Sequence, residues 1–169
     1  MSRYLMTVAA ILSLATPALA AVSQSGDHGH GPGHEEMSIG RPGDASQVDR
    51  VVEITMVETD DGRMIFEPSE LELQKGETIR FEVTNGGVLE HELVLGTPGE
   101  IQEHKAEMKE AMDMAHDDPN SVRLQPGESG EIIWTFANEG TFEFACLIPG
   151  HYESGMHGPL VVAAPETAA

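Results

Sequence analysis

The sequence contains a single cysteine, Cys146, and only 9 lysine and arginine residues against 29 aspartate and glutamate residues. One cysteine excludes an intrachain disulfide framework. The formal net charge of -20 excludes a nucleic-acid-binding surface, which requires clustered cations to neutralise phosphates. Such a charge instead favours a protein partner that presents a basic docking face. At 169 residues, the chain has room for one domain with short extensions.

Long hydrophobic runs are also absent, and the longest apolar stretch lies at the N-terminus. It covers residues 4–15, whereas a membrane-spanning helix needs roughly 20 residues. Arg3 precedes this stretch and small residues follow it up to Ala20, which is the pattern of a secretory signal peptide. We therefore expect residues 1–20 to be cleaved near Ala20, leaving a periplasmic protein without a membrane span. The alternative is an uncleaved N-terminal anchor.

Residues 21–49 are rich in glycine and histidine, and we expect them to form a flexible segment. Imidazole and thioether groups suit copper, so this segment is a candidate for secondary copper binding. The alternative is a solvated linker whose histidines bind nothing. The candidate ligands are His28, His30, His34 and Met37.

From residue 50 onward, apolar and polar residues alternate along several short segments, which is typical of strands with one buried face. Residues 79–83 show the pattern clearly, and Asn85-Gly86-Gly87 ends that segment with a turn signal. Several such strands predict an all-β sandwich over residues 50–164, with residues 165–169 as a tail.

One segment follows helical periodicity instead. Thr97 and Glu100 have the spacing of a capping box, with Pro98 at the first helical position, and the sequence predicts a helix over residues 98–116. A four-residue spacing places sulfur and imidazole side chains on one face of this helix. They belong to His104, Met108, Met112 and His116. The methionines either pack against the sandwich or form a soft Cu(I) site with the histidines.

Four other side chains carry the chemistry of a copper centre. Cys146, His151 and Met156 follow one another with spacers of four residues. His91 lies upstream, where it shares the parity of two leucines that are expected to point inward. Two imidazoles and one thiolate, with a weak axial thioether, form the ligand set of electron-transfer copper. The sequence therefore predicts one type 1 copper centre.

The residues around these side chains resemble the cupredoxin family. Residues 140–146, Pro149-Gly150-His151 and Gly155-Met156-His157-Gly158 are similar to its copper loop. Upstream, Phe66-Glu67-Pro68 and residues 76–91 are similar to the first half of the family's pattern. The resemblance implies a Greek-key β-sandwich with the copper at one end and His151 near the surface as the electron exit.

Two features depart from the pattern of the family. The spacer between Cys146 and His151 is longer than in plastocyanin-like loops and is similar to that of rusticyanin and auracyanin. Glu92 follows His91, where many cupredoxins have asparagine or serine. Because that position supports the thiolate, the colour and the redox potential do not follow from the resemblance.

The histidine tract and the Met/His helix are similar to features of periplasmic copper-tolerance cupredoxins. The sequence thus predicts a redox-active copper protein that serves copper handling or tolerance, with a copper-trafficking partner. The alternative is a soluble one-electron carrier between redox partners such as c-type cytochromes and an oxidase. An enzyme, such as a multicopper oxidase or a nitrite reductase, is not expected because the sequence has one cupredoxin unit and its folded domain lacks His-x-His repeats.

Overall fold

The computed structural model describes residues 37–110 and 118–165. Within these ranges the chain forms ten strands, one α-helix and a short 3-10 turn at Ala45–Gln47. In chain order, the strands are β1 (Gly40–Pro42), β2 (Arg50–Glu58), β3 (Met64–Glu67), β4 (Leu71–Gln74), β5 (Thr78–Asn85), β6 (His91–Gly96), β7 (Ser121–Leu124), β8 (Ser129–Phe136), β9 (Gly140–Ala145) and β10 (His157–Ala163). The helix, α1, spans Pro98–Glu110 between β6 and β7.

The strands form two five-stranded sheets, in the orders β1-β8-β5-β2-β3 and β4-β10-β9-β6-β7. The pairs β2–β5 and β4–β10 are parallel, and the other neighbours are antiparallel. The chain changes sheets at five connections, which are β3–β4, β4–β5, β5–β6, β7–β8 and β8–β9. The predicted all-β Greek-key sandwich with one inserted helix is therefore confirmed.

The alternation in the sequence produces the buried face of each sheet. On β5, Ile79, Phe81 and Val83 are at most 1% exposed, whereas Glu82 between them faces the solvent. Side chains of both sheets form one buried cluster between the layers, in which the Phe144 ring packs edge-on against Phe66 with centroids 5.2 Å apart. Burial of this apolar surface is the main force that holds the two sheets together.

The folded domain begins upstream of the expected boundary at residue 50. β1 pairs with β8, with Gly40 opposite Phe136, and the neighbouring Ile39 is fully buried. Gly40 has a φ of 138°, and a Cβ atom there would overlap the carbonyl oxygen of Thr135. The predicted flexible segment therefore does not reach residue 49, because residues 37–49 lie along the edge of the sandwich. A strand of three residues containing glycine and proline has no alternation that would reveal it.

Several sequence predictions fall outside the described residues. They concern the signal peptide at 1–20, the segment 21–36 with His28, His30 and His34, and residues 166–169 of the tail. The predicted end of the helix near His116 also lies outside, because residues 111–117 are not described. In the part of the chain that is described, none of the helices has the length and apolarity needed to cross a bilayer.

The start of α1 forms as the sequence predicts. The Thr97 amide nitrogen donates to Glu100 Oε2 at 2.8 Å, and the Glu100 amide nitrogen donates to Thr97 Oγ1 at 3.2 Å. This reciprocal capping box satisfies two amide groups that would otherwise lack partners. Ile101 and Met108 are each 1% exposed and belong to a small buried cluster beside β6 and β9.

Candidate metal centre

Two imidazoles and one thiol converge at one end of the sandwich. The Nδ1 atoms of His91 and His151 lie 3.1 Å apart, and Cys146 Sγ lies 3.4 Å from His151 Nδ1. All three potential ligand atoms lie within 4.8 Å of one another. His91 and Cys146 are fully buried, and His151 is 8% exposed. The structure therefore brings together three of the four residues that the sequence predicts as the primary copper site.

Strand ends place these side chains. His91 is the first residue of β6, which is buried along its whole length, and it lies opposite Leu124 of β7. Cys146 directly follows β9, the other neighbour of β6 in the same sheet. Neighbouring strands of a sheet lie about 4.8 Å apart, so ligands at the ends of β6 and β9 are close without any bend of the chain.

The loop between β9 and β10 carries the other two predicted ligands, His151 and Met156. The His151 amide nitrogen donates to Ile148 O at 3.0 Å, and the Met156 amide nitrogen donates to His151 O at 3.1 Å. Gly150 and Gly155 have φ values of 94° and 101°, a region that side-chain-bearing residues rarely adopt. Main-chain hydrogen bonds therefore hold the loop in a single compact shape.

Met156 closes this loop at its base. The Cys146 amide nitrogen donates to Met156 O at 3.0 Å, so the two residues lie side by side. The Met156 side chain is fully buried and belongs to the same cluster as Cys146. The backbone of the fourth predicted ligand thus lies beside Cys146, and its buried side chain is in apolar surroundings that suit a weakly bound thioether; ligation by Met156 stays a prediction.

The protonation states fit a bound cation. Burial, together with the nearby Glu92 charge, raises the pKa of the Cys146 thiol to about 12. At neutral pH the group becomes a thiolate only when a positive ion stabilises it. Burial, and next the adjacent His91, lower the pKa of His151, which keeps its imidazole neutral and able to bind a metal. The donor set therefore fits a soft or borderline metal ion.

A carboxylate supports His91 from behind. Glu58 Oε1 lies 3.0 Å from His91 Nε2, and the same carboxylate accepts hydrogen bonds from the amides of Val88 and Leu89. Burial opposes ionisation of Glu58, but these hydrogen bonds outweigh it and lower the pKa. With Nε2 donating to Glu58, the lone pair of Nδ1 is free to face the site. Sequence reasoning missed Glu58, since no local motif connects the end of β2 with a residue of the other sheet.

A second carboxylate joins the two segments that carry His91 and Cys146. Glu92 is 7% exposed, its Oε1 accepts a hydrogen bond from the Leu147 amide at 2.8 Å, and its own amide donates to Cys146 Sγ at 3.5 Å. A charge-assisted bond of this kind fixes β6 to the start of the ligand loop. The sequence singled out Glu92 as a departure from the family, and the structure shows which contacts it makes.

The residues predicted for secondary copper binding occupy different surroundings. Met37 and His104 line one cavity of about 480 Å³ between α1, β6 and the N-terminal edge. Met108 packs in the buried cluster with Val94 and Leu147. Met112 and His116 lie outside the described residues.

Comparison with protein families matches residues 53–163 to the copper-binding proteins of the plastocyanin/azurin family. The chain belongs to this family. The family and the copper cofactor expected from the sequence are thereby confirmed. The cupredoxin fold also explains why His91, Cys146 and His151 meet at one end of the sandwich.

Individual relatives extend this comparison over nearly the whole chain. The protein is 44% identical to the copper-resistant cuproprotein CopI of Rubrivivax gelatinosus over 159 residues, which covers 94% of each chain. It is 38% identical to the copper-resistant cuproprotein CopI of Pseudomonas aeruginosa, covering 78% of this chain and 85% of the relative. Among solved structures, auracyanin B aligns with a TM-score of 0.57 and 23% identity, covering 78% of this chain and 96% of auracyanin B. This last likeness concerns the fold alone.

Proposed function

We propose that this cupredoxin binds one type 1 copper ion at the metal centre and serves copper tolerance in the periplasm. The atoms that would hold the ion are His91 Nδ1, Cys146 Sγ and His151 Nδ1, with the Met156 thioether as a weaker fourth ligand. The observation that carries it is the convergence of the first three atoms within 4.8 Å in a buried site. This combination of donors is the one that selects copper for electron transfer.

Bound copper supplies one-electron exchange between its cuprous and cupric forms. The protein's own residues hold the donors in place during that exchange. The Cys146 amide is bonded to Met156 O, and the Glu92 amide donates to the Cys146 sulfur. Because these bonds come from the backbone, they would hold Cys146 in place whichever charge a bound ion carried.

The role in copper tolerance is supported by two relatives that are named copper-resistant cuproproteins. Both match this chain over most of its length. The periplasmic location rests on the predicted signal peptide. A non-enzymatic role is supported by the match of residues 53–163 to the copper-binding proteins of the plastocyanin/azurin family and by the similarity to CopI. The partner in this proposal is a copper-trafficking or redox protein with a basic docking face, since the chain carries a net charge of -20.

Additional copper binding at the N-terminal tract and α1 is part of this proposal. It is supported by the position of Met37 and His104, which come from separate segments and line the same cavity. The burial of Met108 in the cluster with Leu147 indicates instead that Met108 packs against the sandwich.

Titration with Cu(I) distinguishes the primary copper site from the additional sites. We expect one equivalent that requires Cys146 and further, weaker equivalents that are lost in a variant with Met37 and His104 replaced by leucine and glutamine.

A growth test distinguishes copper tolerance from electron carriage. A deletion strain of the source organism should grow poorly in excess copper, and the wild-type gene should restore growth while Cys146→Ser should not. Normal growth of the deletion strain in excess copper, together with loss of a respiratory or photosynthetic electron-transfer step, would instead assign the protein as a one-electron carrier.

A further inference from the structure

Two carboxylates lie directly behind the predicted copper ligands, one behind each half of the site. Glu58 bonds to His91 on the ring nitrogen that faces away from Cys146 and His151. Glu92 lies beside Cys146, because its own backbone amide donates to the Cys146 sulfur. Glu92 is 7% exposed, and the Glu58 side chain is 20% exposed. Carboxylates are rarely buried unless they are paired, so two of them at this end of the sandwich require a reason.

The protein holds Glu58 firmly. Its Oε2 accepts from the Val88 amide and its Oε1 from the Leu89 amide, both at 2.9 Å. Gly87 allows the turn to wrap around the carboxylate, because a Cβ atom at that position would overlap the Glu58 side chain. The backbone of the β5–β6 turn thus forms a cradle for one negative charge behind His91.

A backbone amide also holds Glu92. Its side chain is 7% exposed and accepts the Leu147 amide at 2.8 Å. An asparagine or glutamine side chain could accept the same hydrogen bond without carrying a charge. The hydrogen bond therefore does not by itself account for a carboxylate at this position, and the negative charge is the additional property.

A fixed negative charge beside a metal acts differently on its two oxidation states. The cupric ion carries one more positive charge than the cuprous ion, so a neighbouring anion stabilises the cupric form more strongly. The effect is large where water is excluded, as at the buried His91 and Cys146. Hydrogen bonding of a carboxylate to a ligating imidazole acts in the same direction, because it makes the ring a stronger donor.

We propose that Glu58 and Glu92 are positioning residues whose charges bias the centre toward Cu(II). Glu58 acts through His91, and Glu92 acts through Cys146 and the loop that follows it. This proposal rests on the proposed copper site. It predicts a cupredoxin with a lower reduction potential than the same four ligands would have with neutral residues behind them, and therefore a site that retains copper in its oxidised form.

The test compares three glutamine variants of the copper-loaded full-length protein. Glu58→Gln and Glu92→Gln remove one charge each and retain an oxygen that can accept a hydrogen bond. Glu139→Gln is the matched control, because Glu139 is an exposed residue directly before β9, about 20 Å along the chain from Cys146, and forms an ion pair with Lys75 at the surface. The midpoint potential of each protein is measured by redox titration with mediators.

In each of the two site variants, we expect the ratio of Cu(II) to Cu(I) affinity to fall at least tenfold relative to Glu139→Gln. A tenfold change in this one-electron couple corresponds to about 59 mV in the potential. Separate competition titrations with Cu(II) and Cu(I) chelators should give the same ratio. Potentials of both site variants equal to that of the control would overturn the proposal.

The outcomes also separate this proposal from the proposed function. If the wild-type protein lacks intense thiolate-to-copper absorption, the proposed copper site itself is refuted. If the wild-type protein is coloured but the glutamine variants have the potential of the control, only the proposed role of the two carboxylates is refuted. Glu58→Asp and Glu92→Asp restore the charge, and a potential closer to wild type than that of the glutamine variants distinguishes charge from packing.

Discussion

The Nδ1 atoms of His91 and His151 lie 3.1 Å apart, although 60 positions separate the two residues in the sequence. At this distance two lone pairs that face each other repel unless a proton or a metal ion lies between them. Burial, and next the neighbouring ring, lower the pKa of His151, so its ring stays neutral and can present the Nδ1 lone pair in one of its two tautomers. The fold therefore brings together two ring nitrogens whose natural common partner is a metal ion.

Copper should stabilise the folded protein through this site. A ligand that binds only the folded state at about 1,000 times its dissociation constant adds about 4 kcal/mol to the free energy of unfolding. We expect a gain of this order on loading the wild type with copper and a gain below about 1 kcal/mol for Cys146→Ser. The measurement is denaturant unfolding of each protein with and without copper. Equal gains in both proteins would locate the stabilising copper elsewhere.

The thioether of Met156 should tune the centre without being needed for its formation. Replacing Met156 by leucine keeps the volume of a fully buried side chain and removes the sulfur. We expect Met156→Leu to retain the visible absorption and to raise the reduction potential, because axial donation to the cupric ion is lost. An unchanged potential would argue against axial ligation by Met156.

The cradle around Glu58 should depend on Gly87. A Cβ atom at Gly87 would overlap the Glu58 carboxylate, so Gly87→Ala must displace that side chain from His91. We expect copper affinity to fall about tenfold, which is the usual cost of losing support behind a ligand. Gly99→Ala is the matched control, since its Cβ would meet only Thr97 Oγ1 at 3.9 Å. Equal affinities of the two variants would contradict the role of the cradle.

The capping box of α1 should make stability depend on pH. Burial opposes ionisation of Glu100, but hydrogen bonds from Thr97 and Ser38 outweigh it and lower the pKa below the ordinary 4.5. The pKa of Glu100 is lower in the folded protein than in the unfolded chain. Ionised Glu100 therefore stabilises the fold at pH values above its unfolded pKa, and this stabilisation is lost as the pH falls through its folded pKa. We expect Glu100→Gln to cost about 1 kcal/mol at pH 7.

This cost should shrink as the pH falls below 4.5, because the wild-type carboxylate is then protonated as well. The measurement is the free energy of unfolding of the metal-free protein at pH 7 and at low pH. Glu103→Gln, an exposed change on the same helix, serves as the control. A difference between Glu100→Gln and wild type that stays constant across this range would contradict the assignment.

Period-two alternation predicted the sandwich because each sheet has one apolar face, as Phe81 and Glu82 on β5 show. The same signal could not reveal β1, whose position depends on the absence of a Cβ at Gly40. The start of α1 followed from local hydrogen bonding between Thr97 and Glu100, which the sequence encodes within four residues.

The sequence predicted some residues of the candidate site and missed others. His91, Cys146 and His151 could be recognised because residue type, order and spacing together are specific for one chemistry. Glu58 could not, because its contact with His91 joins the end of β2 to the start of β6 in the other sheet. Glu92 was visible only as an unexpected neighbour of His91, and its contacts with Leu147 and Cys146 needed the fold.

The most direct measurement is the visible spectrum of the purified protein after loading with one equivalent of cupric salt, alongside Cys146→Ser. The account predicts intense thiolate-to-copper absorption in the wild type, lost in a variant that still has the circular dichroism of a folded sandwich. A colourless wild type, or a variant that keeps the absorption, would contradict it.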